Sequence, residues 1–174
     1  MAKKIITVFF SRRGMNYVNG SIVNLKRGNT EVCAEFVQRA VGGDIFEIVP
    51  DRDYSADYMT CTEQAQDELR DKVQVPVKHY LDNLEDYDVI FLGYPNWWGT
   101  YPMAVDTFLK HYNLAGKEIH PFCTNEGSGM GGSRRWITAA APQAIVSQGL
   151  AIHGAEAPRS ESRVAQWAQS CVQR

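Results

Sequence analysis

The sequence lacks a strong excess of either charge. It contains 18 basic and 20 acidic side chains, for a formal net charge of −2. The Lys and Arg residues are scattered and form no stripe, and such a surface has no field that attracts nucleic acid or an anionic membrane. We therefore predict that neither is a partner of this chain.

Long apolar runs are also missing. The run near the start covers residues 5–10, which is far shorter than a membrane span, and no small-residue cleavage site follows it. The sequence therefore predicts a cytoplasmic chain without a membrane segment.

The four cysteines lack the spacing of a metal site or of a dithiol redox centre. None of them forms a C-x-x-C pair, and the four histidines show no ligand spacing either. The acidic group at Asp51, Asp53 and Asp57 is interleaved with Tyr54 and Tyr58 and has no calcium-loop glycine. We predict no metal, no catalytic histidine, reduced and mostly buried thiols, and an acidic loop whose tyrosines border a pocket.

Two nucleotide fingerprints are absent as well. The chain has no Walker lysine followed by Ser or Thr, and it has no G-x-G-x-x-G. These absences exclude the ATP and dinucleotide sites that depend on those motifs.

What the sequence does contain is a regular alternation of strand and helix signals. Apolar runs occur at residues 4–10, 44–49, 89–93, 118–123 and 150–153. Helical spacing lies between and after them, from a cap at Asn29 or Thr30 to the glycine pair at 42 and 43, and at 60–72, 102–112, 133–148 and 160–172, with a short turn near 80–84. This alternation predicts a single α/β domain over residues 1–174 with a parallel sheet.

The strongest functional clue is the junction that follows the run at 89–93. The chain passes directly from this apolar strand into Pro95, Asn96, Trp97, Trp98 and Gly99. Ligands of open α/β sheets bind outside the carboxyl ends of the strands, so two adjacent indoles at this place favour a planar guest. The alternative is that the indoles only plug the loop onto the core.

A second loop has the features of an anion site. Ser11 follows the first strand, and Gly28, Asn29 and Thr30 open the first helix. Free backbone N–H groups, the positive end of the helix dipole and the hydroxyls of Ser11 and Thr30 can hold a phosphate without a lysine. Taken alone, Gly28-Asn29-Thr30 is equally typical of an ordinary helix start.

A third loop follows the fourth predicted strand and carries Thr124, Asn125, Glu126, Gly127 and Ser128, with further glycines up to Gly132. Its glycines allow the backbone to approach the edge of a ligand closely. Together the three loops suit a ligand that has a phosphate tail and a flat polar ring.

At these residues the sequence resembles the flavodoxin-like family of FMN proteins. The resemblance rests on Phe10-Ser11-Arg12, Gly28-Asn29-Thr30-Glu31, the Pro-x-Trp-Trp-Gly segment within residues 93–103, and residues 122–129. It covers nearly the whole chain and implies a three-layer α/β sandwich with a five-stranded parallel sheet in the order 2-1-3-4-5. It further implies that Ser11, Asn29 and Thr30 hold the FMN phosphate, that Pro95 to Gly99 flank the ring, and that Thr124 to Ser128 meet its pyrimidine edge.

The sequence departs from the family pattern in two ways. Residues 12–27 interrupt the phosphate-binding segment, and we interpret them as a lid or a partner-facing loop in which Tyr17 covers a ring, or alternatively as a disordered insertion. Electron-shuttling flavodoxins resemble one another in being strongly acidic, whereas this chain has a net charge of only −2.

Three functional hypotheses follow. The first is an FMN-dependent oxidoreductase that takes electrons from reduced nicotinamide and passes them to a quinone-like or small aromatic acceptor. The second is a noncatalytic electron carrier, and the third is a flavin-free binding domain on the same fold. The sequence leaves open the acceptor, the choice between NADH and NADPH, and whether the chain forms a homo-oligomer.

Overall fold

The computed structural model describes residues 1–173, and a parallel β-sheet lies at its centre. The strands are β1 (Ile5–Phe9), β2 (Gly14–Val18), β3 (Ser21–Leu25), β4 (Asp44–Glu47), β5 (Val89–Pro95), β6 (Glu118–Asn125), β7 (Ile145–Val146) and β8 (Leu150–His153). The helices are α1 (Asn29–Val41), α2 (Tyr58–Arg70), α3 (Met103–Lys110), α4 (Ser133–Ala140) and α5 (Glu161–Val172). Short 3-10 helices cover Leu84–Asp86 and Gly154–Arg159.

The sheet confirms the predicted parallel order of its first four positions, but it has six strands where five were predicted. Its hydrogen-bonded neighbours run β4, β1, β5 and β6, and two short strands occupy the remaining edge. β7 pairs with the start of β6 at Glu118 and Ile119, whereas β8 pairs with its end from Phe122 to Asn125. When only the strands of this sheet are numbered along the chain, the order is therefore 2-1-3-4-5, and β7 and β8 share the fifth position.

The sheet is buried on both faces, which explains the unbroken apolar character of β5. Ile90 and Leu92 point into one core, shared with α3 and α4, while Val89 and Phe91 point into a second core shared with α1 and α5. Side chains alternate between the two faces of a strand, so a strand covered on both sides reads as continuously apolar. The result is the expected three-layer sandwich.

Residues 12–27 contain an ordered β-hairpin, so the interpretation of this segment as a disordered insertion was wrong, whereas its role as a lid or a partner-facing segment stays a prediction. β2 and β3 pair antiparallel, with Val18 opposite Ser21, and the turn consists of Asn19 and Gly20 with φ angles of 51° and 87°. A two-residue hairpin turn of type I′ needs positive φ at both central positions, which Asn-Gly adopts readily. The Asn-Gly pair between alternating apolar residues was therefore the signal for this hairpin.

The helix predicted at 133–148 is too long. α4 ends at Ala140, and Ala141 leaves the helical region with φ −132° and ψ 70°. The following residue is Pro142, whose ring disfavours helical geometry in the residue before it. The chain then turns, and Ile145 and Val146 join the sheet as β7.

Other expectations concern thiols, metals and membranes. Cys33, Cys61, Cys123 and Cys171 are all buried, as predicted, and residues 1–173 contain no disulfide. Within the same residues, no group of three or more His, Cys, Asp or Glu is placed to hold a metal ion. No helix in the described range is both long enough and apolar enough to cross a membrane.

Candidate functional site

A cavity of about 480 Å³ opens at the carboxyl ends of β1, β5 and β6. Its volume falls within the range that is usual for small-molecule sites, about 300–1,000 Å³. The predicted residues that line it are Ser11, Asn29, Thr30, Pro95, Asn96, Trp97, Trp98, Thr124, Asn125, Glu126 and Ser128. Gly28, Gly99 and Gly127 belong to the same loops but are not among the lining residues.

The start of α1 forms the inner end of this cavity. Gly28 is the N-cap and makes no side-chain cap, so the prediction of Asn29 or Thr30 as the capping residue was wrong. The Ser11 hydroxyl instead accepts a hydrogen bond from the Glu31 backbone N–H at 3.1 Å. The N–H groups of Asn29 and Thr30 have no partner within the helix, because the first turn of an α-helix leaves its donors unpaired.

Two buried hydroxyls join the first and third loops. The side-chain oxygens of Thr30 and Thr124 lie 2.8 Å apart, and these residues are only 1% and 5% exposed. One hydroxyl donates to the other in such a pair, so a single hydroxyl proton remains for a further hydrogen bond.

Two glycines allow the backbone to pack closely around this inner end. A Cβ atom at Gly28 would lie 2.1 Å from the Ser11 side-chain oxygen and 2.5 Å from the Arg12 carbonyl oxygen. At Gly154, which also lines the cavity, it would lie 2.3 Å from the Glu126 carboxylate and 2.9 Å from the Asn29 amide nitrogen. At Gly28 a backbone oxygen leaves no room for a side chain, whereas at Gly154 the Glu126 and Asn29 side chains would have to shift out of their present positions.

The two adjacent tryptophans have different surroundings. Trp97 is half-buried and packs edge-on against Phe10 and Tyr54, with ring centroids 5.1 and 5.0 Å away. Trp98 is 51% exposed, and its indole N–H donates to the Thr62 carbonyl at 2.9 Å. Trp97 therefore does pack onto the core, whereas Trp98 lies at the mouth of the cavity.

Trp98 also has a strained backbone. Its φ is +60°, a left-handed conformation that a bulky side chain rarely adopts. Such strain concentrates at functional sites, where the surrounding structure holds it in place. Here the Asn96 side chain provides that support, because it accepts from the Gly99 N–H and donates to the Gly129 carbonyl.

The third loop reaches the tip of the hairpin. Asn125 donates to the Ile152 carbonyl and accepts from the Gly127 N–H, which orders the start of the loop. The Glu126 carboxylate then accepts the Asn19 backbone N–H at 2.6 Å. The hairpin is thus held over the cavity by a residue that also lines it.

The outer wall of the cavity comes from the hairpin and from α2, and most of it was not predicted. Tyr17, Tyr54 and Tyr58 were expected at a pocket; Tyr17 and Tyr58 line it, whereas Tyr54 packs against Trp97 and is not among the lining residues. The lining residues that were not predicted are Arg12, Asn16, Met59, Cys61, Thr62, Ala65 and, at the inner end, Gly154. The face that α2 turns to the cavity depends on how the helix lies on the sheet, and no local motif encodes that orientation. Burial raises the pKa of the Cys61 thiol, so this residue is a neutral thiol in the wall.

A family model described as Flavodoxin matches residues 21–171 of the sequence. The chain belongs to the flavodoxin family. The matched segment begins inside the hairpin and includes the helix start, the tryptophan loop and the third loop. No curated protein matches the sequence.

Solved structures of other flavoproteins resemble this flavodoxin-family chain over nearly their whole length. A putative flavoprotein from Bacteroides eggerthii is 27% identical, with a TM-score of 0.76 and 99% of each chain covered. One from Bacteroides uniformis is 26% identical, with a TM-score of 0.75, 97% of this chain and 99% of that chain. A flavoprotein from Lactobacillus acidophilus in complex with FMN shares the fold at 20% identity and a TM-score of 0.65, covering 96% of this chain and 99% of that chain.

Proposed function

We propose that this flavodoxin-family protein is an FMN-dependent oxidoreductase that uses NADH or NADPH to reduce a quinone-like or other small aromatic acceptor. The observation that carries the proposal is the convergence of three loops, after β1, β5 and β6, on one cavity at the carboxyl edge of the sheet. FMN supplies the redox chemistry when bound, and the protein supplies its position and surroundings.

The inner end of the cavity fits a phosphate. The Ser11 hydroxyl accepts one N–H and keeps its own proton to donate, and the Thr30–Thr124 pair keeps a second. The helix N-terminus adds backbone donors and a favourable dipole. Glu31 in the same turn is paired with Arg13 at 2.8 Å, which offsets its negative charge.

The rest of the cavity fits a flat ring. Trp97 and Trp98 supply aromatic surface, and Asn125, Glu126 and Ser128 bring polar groups of the third loop to the same space. The FMN complex of the similar Lactobacillus acidophilus flavoprotein supports the same cofactor here. We assign Ser11, Asn29 and Thr30 to the phosphate, residues 95–99 to the ring faces, and residues 124–128 to the polar ring edge.

Two observations favour an enzyme with small substrates over an electron carrier. The net charge of −2 provides little electrostatic steering toward a basic protein partner. The hairpin also lies beside the cavity mouth, with Tyr17 in its wall and its tip held by Glu126. Such a cover limits the access of a large partner and excludes water from a small substrate.

Calorimetric titration with FMN, riboflavin and FAD tests the cofactor. We expect FMN to bind at least tenfold more tightly than riboflavin, because each charge-assisted hydrogen bond to phosphate contributes about 1.5–3 kcal/mol. Equal binding of FMN and riboflavin would contradict the phosphate assignment.

Steady-state oxidation of NADH and NADPH tests the activity. The FMN-loaded protein should consume at least one nucleotide in the presence of a soluble quinone, and the flavin-free protein should not. Absence of turnover with both nucleotides would favour the carrier, and absence of flavin binding would favour a flavin-free binding domain.

A further inference from the structure

We propose that Tyr17 and Tyr58 form the subsite for the electron acceptor, in which their phenol hydroxyls hydrogen-bond to the carbonyl oxygens of an uncharged quinone. This inference rests on the proposed oxidoreductase function and names the residues that recognise its second substrate.

The two tyrosines come from separate segments but form one surface. Tyr17 belongs to β2 of the hairpin and Tyr58 is the first residue of α2, and both line the cavity. Their rings stack with centroids 6.2 Å apart and an interplanar angle of 24°. Tyr17 remains 43% exposed, so the pair is accessible from the mouth.

Three other polar groups near the mouth already have partners. The Trp98 indole N–H donates to Thr62, the Asn96 amide donates to Gly129, and the Thr62 hydroxyl donates to the Met59 carbonyl. By contrast, neither phenol hydroxyl hydrogen-bonds to any residue among 1–173. Two phenol donors, on two residues that line the same cavity, therefore remain for a ligand.

The charges around Tyr58 favour a neutral ligand. Burial raises the pKa of its hydroxyl; the nearby Glu126 carboxylate adds to this rise and the Arg12 guanidinium opposes it. The hydroxyl therefore keeps its proton at neutral pH and can donate it in a hydrogen bond. Because one cation and one anion flank the subsite, an anionic acceptor gains little there.

The rim of the subsite is apolar, as a quinone ring requires. Met59 and Trp98 are 57% and 51% exposed, and both line the cavity mouth. A thioether and an indole offer polarizable surface to a flat ring. An uncharged planar molecule with carbonyl oxygens satisfies the rim and the two hydroxyls together.

The test measures the oxidative half-reaction alone. FMN-loaded protein is reduced with dithionite and mixed with menadione, an uncharged quinone, or with ferricyanide, which has no carbonyl oxygen. The variants are Tyr17→Phe, Tyr58→Phe and the double variant, which keep the rings, with Tyr80→Phe as a control because Tyr80 is exposed and does not line the cavity.

We expect each cavity variant to weaken the apparent affinity for menadione about twofold to tenfold, the range for one neutral hydrogen bond. Ferricyanide rates and the Tyr80→Phe control should match the wild-type protein. Unchanged menadione affinity in the double variant, or an equal loss with ferricyanide, would overturn the subsite. Since dithionite replaces the nicotinamide, failure of NADH and NADPH as donors would count against the proposed function and not against the subsite; failure to bind FMN would overturn both.

Discussion

The inner and outer ends of the cavity are built in different ways. At the inner end, Thr30 and Thr124 are almost fully buried; Thr30 belongs to α1, which packs on the central sheet, and Thr124 belongs to β6, a strand of that sheet. At the outer end, Tyr17 and Trp98 are about half exposed and lie on a hairpin and on a strained loop. The fold itself therefore determines the inner end, whereas added segments determine the outer end.

This difference separates two functions within one cavity. A rigid, buried set of donors suits a cofactor that stays bound, because preorganised groups lose little entropy on binding. An accessible aromatic rim suits substrates that bind and dissociate in each catalytic cycle. We accordingly expect substitutions at the inner end to change FMN affinity. Substitutions at the outer end should instead change the fluorescence of bound flavin, the mobility of the hairpin or the affinity for the electron acceptor.

The largest effect should come from Gly28→Ala at the inner end. The new Cβ would lie 2.1 Å from the Ser11 side-chain oxygen, so the helix start must move away from β1. We expect calorimetry to show at least a hundredfold loss of FMN affinity, and denaturation to show a loss of about 1–3 kcal/mol from overpacking.

Gly132→Ala provides the matched control for this substitution. Its φ is −93°, and the nearest atom to a new Cβ is a terminal nitrogen of Arg135 at 3.2 Å, which can move. FMN affinity should be unchanged in this variant. Equal losses in both variants would show that the inner end is not specially constrained.

The two tryptophans should separate stability from cofactor contact. Trp97→Ala removes the edge-on packing against Phe10 and Tyr54, and we expect it to lower the free energy of unfolding by about 2 kcal/mol or more. Trp98→Ala should cost less stability but brighten bound flavin more, because an exposed indole beside the ring quenches its emission. Thermal unfolding and flavin fluorescence measure the two effects, and wild-type fluorescence in both variants would contradict stacking.

Thr30→Ala and Thr124→Ala should each weaken FMN binding roughly tenfold, the loss of one charge-assisted hydrogen bond. Because the two hydroxyls lie 2.8 Å apart and orient each other, either substitution disrupts the same oriented donor, so the double variant should lose little more than either single one. Additive losses in a calorimetric double-mutant cycle would mean that each hydroxyl binds independently. Unchanged affinity in Thr30→Ala would remove Thr30 from the site.

The smallest effect should appear at the hairpin tip. Glu126→Ala removes the carboxylate that accepts the Asn19 N–H, so hydrogen exchange at residues 14–25 should accelerate about threefold to tenfold. Glu156→Ala, an exposed carboxylate in the 3-10 helix after β8, serves as the control. Equal exchange in both variants would show that Glu126 does not hold the hairpin.

The same contrast between the two ends explains what could be predicted from the sequence. The inner end follows from periodicity, since the apolar run of β5 and the Gly28-Asn29-Thr30 start of α1 are local signals. Much of the outer wall depends on long-range packing, and residues such as Cys61 and Thr62 have no motif that marks them. The hairpin did have a signal in Asn19-Gly20, but the polar residues around it favoured a loop interpretation.

The excessive length predicted for α4 has a similar origin. Ala139, Ala140 and Ala141 favour a helix, but Pro142 disfavours helical geometry at Ala141 and leaves Ile145 free to join the sheet edge. Local propensity indicated a helix, and the proline together with an open edge of β6 determined the outcome.

Anaerobic stopped-flow mixing of the FMN-loaded protein with NADH and with NADPH tests the proposed enzyme most directly. The flavin absorbance should bleach with at least one nucleotide, at a rate no slower than steady-state turnover with a quinone. We expect this result because the low net charge of the protein and the covered mouth of the cavity favour small substrates. If neither nucleotide reduces the flavin while a reduced protein donor does so rapidly, the protein is an electron carrier and the enzymatic account is wrong.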